Sequence, residues 1–246
     1  MKLKYLLITP LLFVFPIQAY ADAIGVYLGA GSWNHSASGY VSDSSLNIDL
    51  KDDLNLKDNQ EGYFYIAIEH PVPIIPNIKF ASTKLGHQGN GIMTQSVSFG
   101  GQTFNISDPV ASTIVLDSTD ITAYYEILDN VVELDLGLTA RKLDGKIRIV
   151  STAVTGEELI NQTVPMIYAA VAFNLPAGIT LNGESNFISA GGVTYTDLMV
   201  KLRYEIVSVF GVEGGIRTQK LSLKDIDNVT ADVTFSGPFI GAFLHF

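Results

Sequence analysis

The chain contains no cysteine, which excludes disulfides, thiolate nucleophiles and cysteine-held metals. Fixed charge is scarce as well. Asp, Glu, Lys and Arg make up 16% of the residues, while 47% are hydrophobic. Basic residues are the rarer sign, 15 against 25 acidic ones, for a formal net charge of −10. An acidic chain without a basic patch interleaved with aromatics does not suit nucleic acid. Beyond the N-terminus no apolar run approaches the roughly 18 residues that mark a membrane helix. The abundant apolar residues must therefore be covered by something other than a helix bundle in a bilayer.

The first residues do form a short apolar run. Met1-Lys2-Leu3-Lys4 is basic, Tyr5 to Ile17 is apolar, and Ala19-Tyr20-Ala21 follows. This order describes a secretory signal peptide over 1–21, cut after Ala21. The run is too short to span a bilayer, and Pro10 and Pro16 interrupt it. The mature chain is then 22–246, one domain without linker or low-complexity tract. Loss of Lys2 and Lys4 moves its formal charge from −10 to −12.

Along the mature chain apolar and polar residues alternate with period two, the signature of strands with two unlike faces. Leu198, Val200, Leu202, Tyr204 and Ile206 share one face, and Asp197, Met199, Lys201, Arg203 and Glu205 the other. The same holds for Ile121, Ala123, Tyr125 and Ile127 against Asp120, Thr122, Tyr124 and Glu126. Leu134, Leu136 and Leu138 likewise oppose Glu133, Asp135, Thr139 and Arg141.

Ten such segments are read, at roughly 24–34, 61–71, 77–88, 116–128, 131–145, 161–175, 178–189, 193–207, 209–222 and 233–246. Tight turns are expected near Pro71–Pro76, Asp129-Asn130, Pro176–Gly178 and Ser208-Val209. Long polar connections are expected at about 35–60, 89–115, 145–160 and 222–232, with a short one at Ala190–Gly192. The expected fold is all-β, an antiparallel transmembrane β-barrel of ten strands, with eight as the alternative. A soluble β-sandwich would alternate too, but its polar faces would carry less fixed charge.

The final strand agrees with the barrel. Phe246, Leu244, Ala242, Ile240 and Pro238 alternate back from the C-terminus, all apolar. A terminal aromatic on an alternating strand is similar to the assembly signal of bacterial outer-membrane proteins, so Phe246 and Leu244 are its expected carriers. The expected location is the cell outer membrane, reached by export and the barrel assembly machinery. The expected partners there are lipid and lipopolysaccharide.

Several motifs carry a family resemblance over essentially the whole mature chain. They are Gly25-Val26-Tyr27-Leu28-Gly29-Ala30-Gly31, Gly62-Tyr63-Phe64 running on to Glu69-His70-Pro71-Val72-Pro73, and Phe99-Gly100-Gly101-Gln102-Thr103-Phe104. They continue in Tyr124-Tyr125-Glu126-Ile127-Leu128-Asp129-Asn130, Leu134-Asp135-Leu136-Gly137-Leu138-Thr139-Ala140-Arg141 and Gly211-Val212-Glu213-Gly214-Gly215. The chain resembles an uncharacterised proteobacterial family of outer-membrane β-barrels named for a Gly-Gly motif. That resemblance implies the barrel and its location, and no activity.

The polar faces put Glu69, Lys79, Glu126, Glu133, Asp135, Arg141, Glu184, Lys201, Arg203, Glu205, Glu213 and Arg217 in one lumen, together with Asp120 and Asp197. An ion-pair network filling a narrow lumen is expected, because a barrel slightly wider than eight strands is packed by its own side chains. The alternative is the lining of a narrow channel for small solutes. His87, Asp117 and Asp120 admit a distant third reading, an omptin-like hydrolase, yet no omptin motif is present and no enzyme is expected.

The acidic stretch Asp49–Asn59 departs from a calcium loop, and no cofactor or metal is expected. It reads instead as a solvated loop in which Ile48, Leu50, Leu54 and Leu56 form a short plug or lid. Gly100-Gly101 reads as the turn of a small hairpin. Tyr27, Tyr124 and Tyr168 are read as lumen filling.

Overall fold

The computed structural model describes residues 24–42, 46–226 and 229–246. The signal peptide read over 1–21 lies outside the described residues. Among the described residues fourteen strands run in order: β1 (Gly25–Ser42), β2 (Ile48–Asp49), β3 (Asn59–Glu69), β4 (Asn77–Thr83), β5 (Gly86–Ile92), β6 (Val97–Phe99) and β7 (Gln102–Phe104). Then come β8 (Pro109–Leu128), β9 (Val132–Val150), β10 (Thr155–Leu175), β11 (Ile179–Ala190), β12 (Val193–Val207), β13 (Phe210–Ile226) and β14 (Val229–His245). Each long strand pairs antiparallel with its neighbour, and β4 and β5 share β8 as the two halves of one stave. Pairing of β1 with β14 closes the ring at ten staves. Phe246 and Val26 seal it by exchanging backbone hydrogen bonds, each N–H donating to the other's carbonyl at 3.0 Å.

The four tight turns fall where the sequence puts them: between β3 and β4, β8 and β9, β10 and β11, and β12 and β13. Pro176–Gly178 is a 3-10 turn in which Ala177 takes φ 66°, a left-handed value unusual for a residue with Cβ. Short turns mark the periplasmic end of such barrels.

The other end departs from expectation. The segments read as long loops at 89–115, 145–160 and 222–232 are largely strand, and 35–60 is so in part, since β1, β8, β9, β10, β13 and β14 all continue into them. The cause is an inversion of the side-chain pattern. In the lower half of β9, Leu136 and Leu138 face out and Thr139 and Arg141 face in. In its upper half Lys142, Asp144 and Arg148 face out, and Leu143 and Ile149 are buried within. β8 behaves alike, with Ile121 and Tyr125 outward below and Ile114 and Leu116 inward above. The lower half obeys the rule for lipid outside; the upper half obeys the rule for water outside.

The upper interior is consequently an apolar core. Ile48, Leu50, Leu54 and Leu56 fold over the mouth and meet Leu85, Met93, Val97, Phe99 and Phe104. Hairpin β6–β7 turns through Gly100 and Gly101, at φ 57° and 70°, as their sequence suggests. Buried Asp53 fastens this cap, its carboxylate accepting from the Thr94 N–H and hydroxyl and from the Asp49 N–H.

Candidate functional site

Below the cap the interior is polar and layered. Arg141 is 0% exposed. Its Nε donates to Asp120 at 2.8 Å, and its Nη2 to Asp120 at 2.6 Å and Asp197 at 2.7 Å. Arg217 grips Asp197 from the other side at 2.9 and 2.7 Å and reaches Thr83 at 2.9 Å. Gln219 adds a further donor to Asp197. Two guanidinium forks thus enclose one carboxylate, which suits the rigid donor geometry of arginine. The sequence placed Asp120 and Asp197 on the inner face but gave no sign that Asp197 would be the hub.

The next layer down pairs Lys201 with Glu213 at 3.0 Å, and Tyr63 and Tyr65 donate to the same carboxylate at 2.9 and 3.1 Å. Lys79 bonds Glu184. Towards the periplasmic mouth Tyr124 donates to Glu69 at 2.7 Å, Asn77 to Glu126 at 3.0 Å, and Asn174 to Glu133. Asp135 faces this space without a hydrogen bond or ion pair among the described residues.

The expected network is thus half realised: among the described residues Glu69, Glu126 and Glu133 bond only neutral partners, Asp135 bonds none, and Arg203 and Glu205 depart furthest. Arg203 pairs with no described carboxylate; its guanidinium lies 3.9 Å from the Phe243 ring centroid and 5.5 Å from that of Tyr27. Glu205 is exposed rather than enclosed, because the β12–β13 register shifts beside it and lifts the strand end out of the lumen. The inner glycines went unread in the sequence. A Cβ at Gly31 or Gly241 would collide with the Tyr63 hydroxyl, and one at Gly29 with the Tyr65 ring. These glycines are recesses that admit the rings across the barrel. The cavity left beside Arg141, Asp197 and Lys201 is about 30 Å³, room for about two waters.

The third reading weighed in the sequence does not assemble. His87 bonds His35, Asp117 bonds Lys84, and Asp120 bonds Arg141. His35 and His87 sit above the lipid-facing belt, at the base of the cap. His87 donates through Nδ1 to the Lys57 carbonyl at 2.8 Å, so its Nε2 accepts from His35 Nδ1, also at 2.8 Å. That leaves His35 Nε2 bare and facing Glu61 Oε2 at 4.0 Å, both buried and without a hydrogen-bond partner.

Burial first, then His87 and Arg217, pull His35 down to about 4, and burial lowers His87 too. Burial pushes the Glu61 carboxyl up. A histidine held neutral by the fold contributes stability above its ordinary value near 6.5, and this is lost as pH falls toward the folded value. Glu61 works in the opposite sense, as does any other buried carboxyl, so the histidine contribution is read as a difference between variants. Between pH about 7.5 and about 5 the urea midpoint should move downward more in the native barrel than in a His35→Gln, His87→Gln barrel. An unchanged pH dependence in the double variant would assign it elsewhere.

A closed antiparallel barrel with an apolar outer belt and a buried charged network within is the architecture of the outer-membrane β-barrels. The outer membrane protease OmpT from Escherichia coli is similar with a TM-score of 0.50 at 12% identity, over 92% of this chain and 98% of that one. An outer membrane channel from Pseudomonas putida F1 gives 0.46 at 10% identity, over 95% and 100%. The attachment invasion locus protein of Yersinia pestis gives 0.41 at 12%, over 92% and 100%. At 12% identity the likeness to the protease bears on the fold and says nothing about activity. No protein-family model and no curated protein sequence matches the chain.

Proposed function

We propose that this is an exported, sealed outer-membrane barrel whose role is structural or one of surface interaction, without a catalytic centre. The observation that carries this is the double closure of the lumen: the Arg141–Asp197–Arg217 cluster across its middle and the apolar cap above. An ion would have to part buried ion pairs and then cross a packed apolar core, each of which costs several kcal/mol. The glycine-bearing motifs support kinship with the Gly-Gly family. The belt, and Phe246 on the closing strand, support assembly in a membrane bearing lipopolysaccharide. Reconstituted in a planar bilayer, the protein should carry no steady current above the bare-membrane level. A sustained, ion-selective current would favour the channel reading.

A further inference from the structure

The extracellular wall of the barrel has a notch. The β11–β12 hairpin stops at Gly191-Gly192, while β10 runs on to Thr155 and β13 to Ile226. From β10 to β13 the missing wall spans three strand spacings, about 14 Å. Pairing of β10 with β11 begins only at Ile167↔Phe187, although β9 pairs β10 along its whole length to Thr155↔Val150. Among the described residues no strand lies on the other side of β10 above that point.

Gly191 and Gly192 have φ 57° and 84°, a type I′ turn, so Ala190 and Val193 are a hydrogen-bonded pair. Counting by twos, even residues of β11 bond β12 and odd residues bond β10. Phe187 and Ile167 are both odd, so the odd residues of β10 aim their N–H and C=O groups at β11. The next odd residue up is Pro165, which has no N–H to give Ser189. The ladder ends there for that reason. Above it Thr163, Asn161 and Leu159 direct backbone donors and acceptors into the notch, until Gly100 of the cap hairpin closes against Gly156 and Glu157.

Both faces of this edge are exposed: Leu159 is 72% accessible, and Glu158, Asn161, Gln162 and Thr163 are exposed too. Natural edges are blunted by lysine, proline or bulges. From Thr155 to Met166 this one has Pro165 at its lower end, no lysine or arginine, and an unbroken register with β9. The notch is floored by half-buried apolar side chains, Ile188, Leu221 and Leu223, beside Ile160 and Val164 of β10 itself.

We propose that the β10 edge from Leu159 to Thr163 is a docking site for an extended polypeptide segment of a partner protein, which adds to the barrel wall as a strand. Backbone groups supply the ladder, and apolar residues at alternate partner positions cover Ile160, Val164 and Ile188. The acidic edge, with Glu157 and Glu158, favours a neutral or basic segment. A second copy in the same membrane does not fit. Strands tilted about 40° and related by an axis along the membrane normal cross at about 80°, too steep to form a ladder. The proposal rests on the surface-interaction reading and names its partner class.

The test uses the full barrel in detergent and an acetylated peptide of alternating valine and lysine, about ten residues long. Without peptide, the amides of Leu159, Asn161 and Thr163 should exchange freely, while Ile160 and Gln162, bonded to β9, are protected. With peptide the odd amides should slow at least about tenfold and the even ones hardly change. Asn161→Pro removes an edge donor but no β9 bond, so heat-modifiable migration should persist while peptide affinity falls at least about tenfold. Thr163→Pro serves if that variant does not fold.

Odd amides already protected without peptide, or undiminished binding by either proline variant, would overturn the proposal. Protection that appears on raising the protein concentration alone, or on adding lipopolysaccharide alone, would do so too. Bilayer current on the same sample bears on the seal and leaves the edge test intact.

Discussion

Arg141→Ala should destabilise the barrel by about 3–5 kcal/mol, because it leaves the Asp120 carboxylate buried without its partner, beside an Asp197 that Arg217 still holds. Urea unfolding in detergent micelles, followed by tryptophan fluorescence of the buried Trp33, gives the measurement. Removing one stranded charge in the same molecule, as Arg141→Ala with Asp120→Asn, should recover part of the loss. Arg203→Ala is the internal control. Its guanidinium rests on the Phe243 and Tyr27 rings and strands no carboxylate, so a clearly smaller change is expected. Equal losses at the two arginines would mean that ion pairing does not decide the stability of the interior.

The second large effect belongs to the outer surface. Leu202 is the middle of five outward residues on β12, from Leu198 to Ile206, and is 55% exposed. Leu202→Arg places a guanidinium near the bilayer midplane and should cost about 2–4 kcal/mol. The same substitution at Thr196, above the belt, should cost far less. Folding yields into lipid vesicles of defined thickness would show the contrast, and equal yields would remove Leu202 from the membrane core.

What the sequence made legible follows from these two surfaces. Period two with an apolar outer parity holds wherever lipid lies outside, so the lower staves and all four tight turns stood out. Asp129-Asn130 and Pro176–Gly178 are examples. The upper staves were lost because the parity reverses. Between Leu138 and Leu143 the apolar residues of β9 move from even to odd numbers, and a reader following one phase sees the pattern dissolve into loop. The strand itself never breaks.

The interior was legible as a set of inward charges, and partners were not, since pairing depends on register between strands far apart in sequence. Asp197 and Arg141 are 56 residues apart and bond at 2.7 Å. Glu205 and Arg203 lie on the same inward parity as Lys201, yet the β12–β13 bulge and the aromatic rings of the mouth give them other surroundings. Parity says which side a residue faces and nothing of what fills that side. The histidine pair under the cap was hidden for the same reason: His35 and His87 were each a single polar residue in a stretch read as loop or loop edge.

The length of the staves also fixes how far the molecule stands from its membrane. β8 has 20 residues and β10 has 21. At about 3.3 Å per residue and a tilt near 40°, each rises about 50 Å, and the apolar band accounts for about half of that. The remaining height is mostly hydrogen-bonded strand, interrupted by the notch above the β11–β12 hairpin. A macromolecule that approaches from this end meets the upper β9–β10 hairpin well before it meets the lipid headgroups.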